Sequence, residues 1–386
     1  MTSKERFLAA LNRDIPDRLP VTTHHLMPSY LRRQGKGKTP MEFFDYFGLD
    51  PIDWVFACRP DEEKGDSQVS QPAVLEGGRD FLLCSKFWVP NREILSGPGK
   101  SEVRLSFITP RKTLKMRKRG DEHTFWITEN LIKEKSDIEV LAEFAPSSLC
   151  DVEEVRRSAK KLGQKGLVRG TVPGFDVLGQ PGCWQDAAVL FGIENLILQA
   201  YEDPAWVHRF LTILKDRKKK YIHSAAGAPF DIMELGGGDA STTVISPSLF
   251  DTFVAPYDAE LIHLAHEAGQ KIVYHTCGGM MPLLERIADM GADAAETFTP
   301  PAMGGDADLK EAKKRIGRRL CMIGGFDQIH FFSGSTPAAV RREVRRCFEA
   351  AGRGGGYIIS PSDHFFTAED RLLLAYGDEA GKCNYE

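Results

Sequence analysis

The sequence predicts an α/β chain built as a (β/α)8 barrel, with an N-terminal helical and β-rich elaboration. Three observations carry that expectation. From Ser136 onward, short apolar runs alternate with longer amphipathic stretches, the rhythm that a parallel sheet with crossover helices requires. Counting RLPVTTHH (18–25), seven such runs occur, which suits closure into a barrel better than an open sheet. Polar and glycine-rich residues gather at the C-terminal ends of these runs, where barrels build their active sites. With 386 residues, 42% hydrophobic and 27% charged, the chain can bury a full core, and disorder and fibrous repeats are excluded.

Taken in order, residues 1–18 form an amphipathic helix (Phe7, Leu8, Leu11) that ends before Pro16. RLPVTTHH follows as a strand. From about 51 to 135 the chain changes character: FLLCSKFWVP (81–90), SEVRLSFITP (101–110) and HTFWITENLI (123–132) alternate between turn-rich clusters. A β-rich insertion or subdomain is therefore expected there, within a single barrel domain spanning 1–386. The remaining strands are GLVRGTVPG (166–174), DIMELGGG (231–238), KIVYHTCGG (271–279), DAAETFTPP (293–301), LCMIGGFDQ (320–328) and GYIISPSDH (356–364). Helices are expected over 184–198, 204–225, 248–268, 280–290 and 338–351. Several open on a cap-and-proline signal such as Glu202-Asp203-Pro204 or Ser246-Pro247-Ser248.

The charge balance narrows the partners. Lys+Arg 50 against Asp+Glu 54 gives a net charge of −4, and the basic runs at 215–220 and 341–346 sit on helical periodicity. A solvated helix face explains them, and nucleic acid is not expected. No stretch reaches about 18 uninterrupted apolar residues, so no membrane span is expected. The N-terminus lacks a signal-peptide pattern, and a cytoplasmic protein is expected. The 8 cysteines are scattered, which fits reduced thiols rather than a disulfide framework.

The sharpest chemical motif is His275-Thr276-Cys277 after the apolar run KIVY. Residues two apart on a strand share a face, so imidazole and thiolate can reach one ion, and that pair suits zinc better than magnesium or calcium. The competing reading is a buried thiol beside a hydrogen-bonded imidazole. Asp363 and His364 at the last strand end offer a third ligand, which would give the three-ligand, one-open-position pattern of a catalytic zinc site. Glu234 and Glu296 stand at neighbouring strand ends, and with Asp239 and Asp327 they are the candidates for orienting substrate or handling protons. His24, His25 and Gln328 are candidates for cofactor contact. Successive residues point opposite ways on a strand, so at most one of the two histidines should face the cavity, and polar loop residues are the competing reading. Gly236-Gly237-Gly238 and Gly354-Gly355-Gly356 match no nucleotide-binding spacing, and tight turns explain them.

Across KERFLAALNRDIPDRLPV, DIMELGGGDASTTVISPSLFDTFVAPY, KIVYHTCGGMMPLLERIADMGADA, MIGGFDQ and GGGYIISPSDH, the chain resembles the uroporphyrinogen decarboxylase superfamily, which includes cobalamin-dependent, zinc-containing methyltransferases. True decarboxylases of this family carry an Arg-Gln-Ala-Gly-Arg segment after the first strand to bind substrate carboxylates. Here HHLMPSYLRRQGKG stands in that place, with Arg32 and Arg33 as the nearby arginines, which argues against a polycarboxylate substrate. The methyltransferase branch carries a His-x-Cys, matched by His275 and Cys277, and commonly a further Cys at the last strand end. Ser360-Pro361-Ser362-Asp363-His364 departs from that pattern, and a harder ligand there would make the ion a stronger Lewis acid.

The expected function is thus a zinc-dependent methyltransferase of a corrinoid-linked system, moving a methyl group between a small O- or N-methylated substrate and a cobalamin carried by a partner protein. A metal-free decarboxylase and a non-catalytic corrinoid- or tetrapyrrole-binding barrel are the alternatives. The sequence leaves the oligomeric state open.

Overall fold

In a computed structural model, residues 1–61, 68–69, 73–75, 78–80, 83–95, 101–121, 125–175 and 181–385 are described. Seven parallel strands pair in sequence order: Ile52–Trp54, Leu167–Thr171, Ile232–Gly236, Ile272–His275, Ala294–Thr297, Cys321–Gly324 and Tyr357–Ile358. The two edges of this curled sheet meet at Val21. On one side Val21 bridges Ile359 in parallel, and on the other its carbonyl accepts the Asp50 N–H at 2.6 Å. The run RLPVTTHH thus supplies a closing stave reduced to a single bridge. The Asp50 carboxylate pins it, accepting the Val21 N–H at 3.0 Å while pairing with Arg6 and Arg18.

Ile52–Trp54 lies inside the stretch expected as the insertion, yet it pairs with Leu167–Arg169 as a barrel stave. The β-rich part follows it. Val89–Ile94, Ser101–Ile108, Thr113–Gly120 and Phe125–Glu129 form a four-stranded antiparallel meander. Positions 81–82 and 123–124, which open two of the expected runs, lie outside the described residues. Trp88, Val103, Leu105, Phe107, Leu114 and Met116 are buried and join the main hydrophobic core. Trp88 stacks on Phe107 at 4.8 Å and meets the edge of Phe175, just past the Leu167–Thr171 strand. This contact leans the meander over the C-terminal mouth of the barrel.

Helices lie where the periodicity placed them, with one break: the expected 184–198 helix is two, Cys183–Phe191 and Ile193–Glu202, parted at Gly192 with φ +93. Among the described residues no helix is long and apolar enough to cross a membrane.

The two-residue period of the strands sets the interior. Ile52, Leu167, Ile232, Val273, Ala294, Cys321 and Ile358 form an apolar floor, plugged from below by Phe7 and Leu11 of the Ser3–Leu11 helix. Burial of each of those two side chains contributes about 1.5–3 kcal/mol. Two residues further along five of these strands stand Trp54, Arg169, Glu234, His275 and Glu296. One face of the sheet therefore carries an apolar layer and, directly above it, a polar one.

Candidate metal centre and adjoining cavity

Glu296 is the hub of the polar layer. Its carboxylate accepts Arg169 Nη1 at 2.9 Å, pairs with Arg169 Nη2, and meets His275 Nδ1 at 2.9 Å. His275 and Glu296 are register partners on adjacent strands, which fixes that contact through the backbone. Arg169 also reaches Glu234 at 2.6 Å, and His24 Nδ1 stands 3.6 Å from Glu296. One donor atom from each of His24, Glu234, His275 and Glu296 lies within 4.8 Å of the others, and all four residues are buried.

Charge is distributed by these contacts. Burial alone would raise the Glu296 pKa, but the Arg169 and His24 charges and the hydrogen bonds from His24 and His275 hold it well below the carboxylate range. Burial alone would lower His275, but Cys277, Glu296 and the Glu234 charge push it well above the ordinary imidazole range. His25 is the opposite case: burial, then the His24 and Arg169 charges, keep it neutral. Its ring stacks on Trp54 at 4.1 Å, and Arg169 lies 4.2 Å over the other ring system of this wall, that of Trp54. The Trp54 indole in turn donates to the His24 carbonyl at 3.2 Å.

The decisive atom is His275 Nε2, which is buried and has no hydrogen-bond partner while Nδ1 is anchored to a carboxylate. A metal-binding histidine shows that arrangement, with one nitrogen oriented by an outer carboxylate and the other free to ligate. Cys277 lies beside it, close enough to raise its pKa. The two glutamates are tied to Arg169 and also stand within reach of an ion that His24 and His275 could meet. A buried set of two imidazoles and two carboxylates at this spacing could hold a divalent metal ion. The turn that carries Cys277 depends on Gly278, at φ +101, where a Cβ would fall 2.7 Å from Thr243 Oγ1 and 2.9 Å from Ser241 Oγ.

The other candidates are placed as follows. Asp363 and His364 pair with each other at 2.8 Å, both part-exposed. Burial would raise Asp363, but His364, and behind it His24 and His275, lower it. Asp327 caps the Gln328–Phe331 turn, accepting the His330 N–H at 3.0 Å and pairing with the His330 ring at 2.8 Å. Gln328 braces the last strand end, accepting the Ser362 N–H at 3.1 Å. Asp239 sits apart, on a cavity of about 430 Å³ that Cys277, Gly278, Gln185, Ser241 and Thr243 also line. Burial raises its pKa against the hydrogen bond from Gln185. Arg169 and Trp54 are the two site residues that motif reasoning passed over.

The Uroporphyrinogen decarboxylase (URO-D) family model matches residues 121–367. The chain belongs to this family. A uroporphyrinogen decarboxylase from Methylococcus capsulatus is 27% identical over 163 residues, 42% of this chain and 43% of that protein. A methylated-thiol–coenzyme M methyltransferase from Methanosarcina mazei is 26% identical over 200 residues, 51% of each. The chain thus spans about half the length of the curated relatives it matches. Among solved structures, a methyltransferase from Methanosarcina mazei aligns over 99% of both chains with a TM-score of 0.61 at 14% identity, a likeness of fold.

Proposed function

We propose that this family member is a zinc-dependent methyltransferase of a corrinoid-linked system, moving a methyl group between a small methylated substrate and a cobalamin carried by a partner protein. The observation that carries the reading is the orphaned, buried Nε2 of His275 with Cys277 beside it. His275 and Cys277 would hold the ion, with Asp363 or His364 as a further ligand, and His24, Glu234 and Glu296 each place a donor atom within 4.8 Å of one on His275. A zinc ion there supplies Lewis-acid stabilisation of the charge that develops on the leaving heteroatom.

The chain's own residues do the rest. Glu296 orients His275 and keeps its Nδ1 protonated. Arg169 pairs with both Glu234 and Glu296, and His275 adds positive charge beside Glu296, so the site does not accumulate uncompensated carboxylates. Trp54 and His25 form a stacked pair on the wall of the site. The relative named for methyl transfer from methylated thiols supports the reading, as does the cavity wall, which carries Asp186 and Asp239 and no cation among its described residues. A substrate with many carboxylates would need the reverse.

The test pairs elemental analysis with a transfer assay. About one zinc per chain, lost in the His275→Ala/Cys277→Ala variant, together with methylation of cob(I)alamin by methylated donors, is the expected result. Metal-free protein that releases CO2 from a carboxylated tetrapyrrole would overturn it.

A further inference from the structure

The cavity beside Cys277 has a charge imbalance that the metal centre does not explain. Two acids stand on its wall. Asp186 is neutralised by Lys218, whose Nζ lies 2.5 Å away, with both side chains largely buried. Asp239 has no ion-pair partner among the described residues, and burial and the Gln185 hydrogen bond are what its carboxyl feels. That bond is locked: Gln185 Nε2 donates to Asp239 at 2.7 Å while Gln185 Oε1 accepts the Asp239 N–H at 2.8 Å. The amide is thus committed, and cannot turn to offer the carboxylate a different group.

A second polar atom on the same wall is also unmet. Ser241 is 1% exposed, and its hydroxyl has no hydrogen-bond partner. A carboxylate drawn out of bulk water without a countercharge and a buried hydroxyl without a partner are both costly in a folded chain. One kind of ligand group relieves both: a cation that carries N–H donors. A carboxylate or sulfonate would instead meet Asp239 with like charge, and a neutral group would leave the Asp239 charge unanswered.

We propose that this cavity receives the protonated amine of the substrate, with Asp239 as its ion-pair partner and the Ser241 hydroxyl as a hydrogen-bond acceptor. The inference rests on the methyltransferase reading for calling the ligand a substrate, but not for its binding. It separates this chain from its methyltransferase relative, whose name includes coenzyme M, because coenzyme M ends in a sulfonate.

Three probes on one frame test it: 2-(methylthio)ethylamine, 2-(methylthio)ethanol and 2-(methylthio)ethanesulfonate, titrated calorimetrically into the full chain with and without zinc. The expected result is that the amine binds at least about tenfold more tightly than the other two, because it alone makes a charge-assisted contact to Asp239. Asp239→Asn, checked for folding by circular dichroism, should remove that preference, and Ser241→Ala should weaken the amine several-fold while keeping the preference. Equal or tighter binding of the alcohol or sulfonate to the wild-type chain would overturn the proposal, as would full amine affinity in Asp239→Asn. Because no corrinoid is present, the outcome is separate from the functional reading: amine binding without methyl transfer to cob(I)alamin would contradict the methyltransferase and leave the amine site standing.

Discussion

The Nδ1 of His275 lies 2.9 Å from Glu296, its register partner on the next strand, and this contact leaves Nε2 facing the barrel interior with no partner. Glu296 should therefore govern metal affinity without itself being a ligand. Glu296→Gln is expected to weaken zinc binding about 10–100-fold, the usual cost of losing an outer carboxylate. A competition titration against a chromophoric chelator measures it, and unchanged affinity would contradict the role.

Arg169 is the countercharge for two buried carboxylates. Arg169→Met should cost about 3–5 kcal/mol in urea unfolding, because Glu234 is left buried without its ion-pair partner and Glu296 keeps only the two histidines. Arg169→Lys should recover part of that loss, since a point charge replaces the fork but cannot meet both carboxylates bidentately. If Arg169→Met is as stable as wild type, the charge accounting of the polar layer is wrong.

Asp258 gives the chain an acid-side pH dependence. Burial, opposed by the hydrogen bond from Tyr274 at 2.9 Å and the Cys183 N–H, pushes its carboxyl up to about 6. The folded pKa lies above the unfolded one, so its contribution is full below about 4 and is lost as pH rises through about 6. The stability difference between wild type and Asp258→Asn should shift by up to about 3 kcal/mol across that window. A difference that is flat from pH 4 to 7 would rule this out.

Asp327 and Gln328 each hold a backbone contact at the strand ends. Asp327→Ala removes a helix cap and should cost about 1 kcal/mol while leaving zinc stoichiometry and affinity intact. Loss of the metal in that variant would instead place Asp327 in the centre.

Much of this was readable from residue pattern, and the failures have physical causes. The strands ending at Gly236, His275, Thr297 and Gly324 were legible because each is an apolar run closed by a polar or glycine turn. Ile52–Trp54 was missed as a stave because three residues are too few to show a period, and strand-rich sequence follows it. Residue 21 could be placed as a strand, but not as the element that closes the barrel, since closure rests on one bridge and on Asp50. His275 and Cys277 were visible as a motif. Arg169 was not, although a lone arginine within GLVRGT, two positions past an inward Leu167, is the kind of residue that must find buried acids. Asp363 and His364 are legible as candidates because they follow the last strand. Their mutual ion pair depends on side-chain directions in a loop, which spacing does not encode.

Zinc ligation by His275 and Cys277 is best tested by X-ray absorption at the zinc edge of the loaded chain. A sulfur scatterer at about 2.3 Å beside nitrogen or oxygen at about 2.0–2.1 Å, with the sulfur lost in Cys277→Ala, is the expected result. A chain that retains no zinc, or one whose zinc shell holds no sulfur and is unchanged by Cys277→Ala, would contradict it.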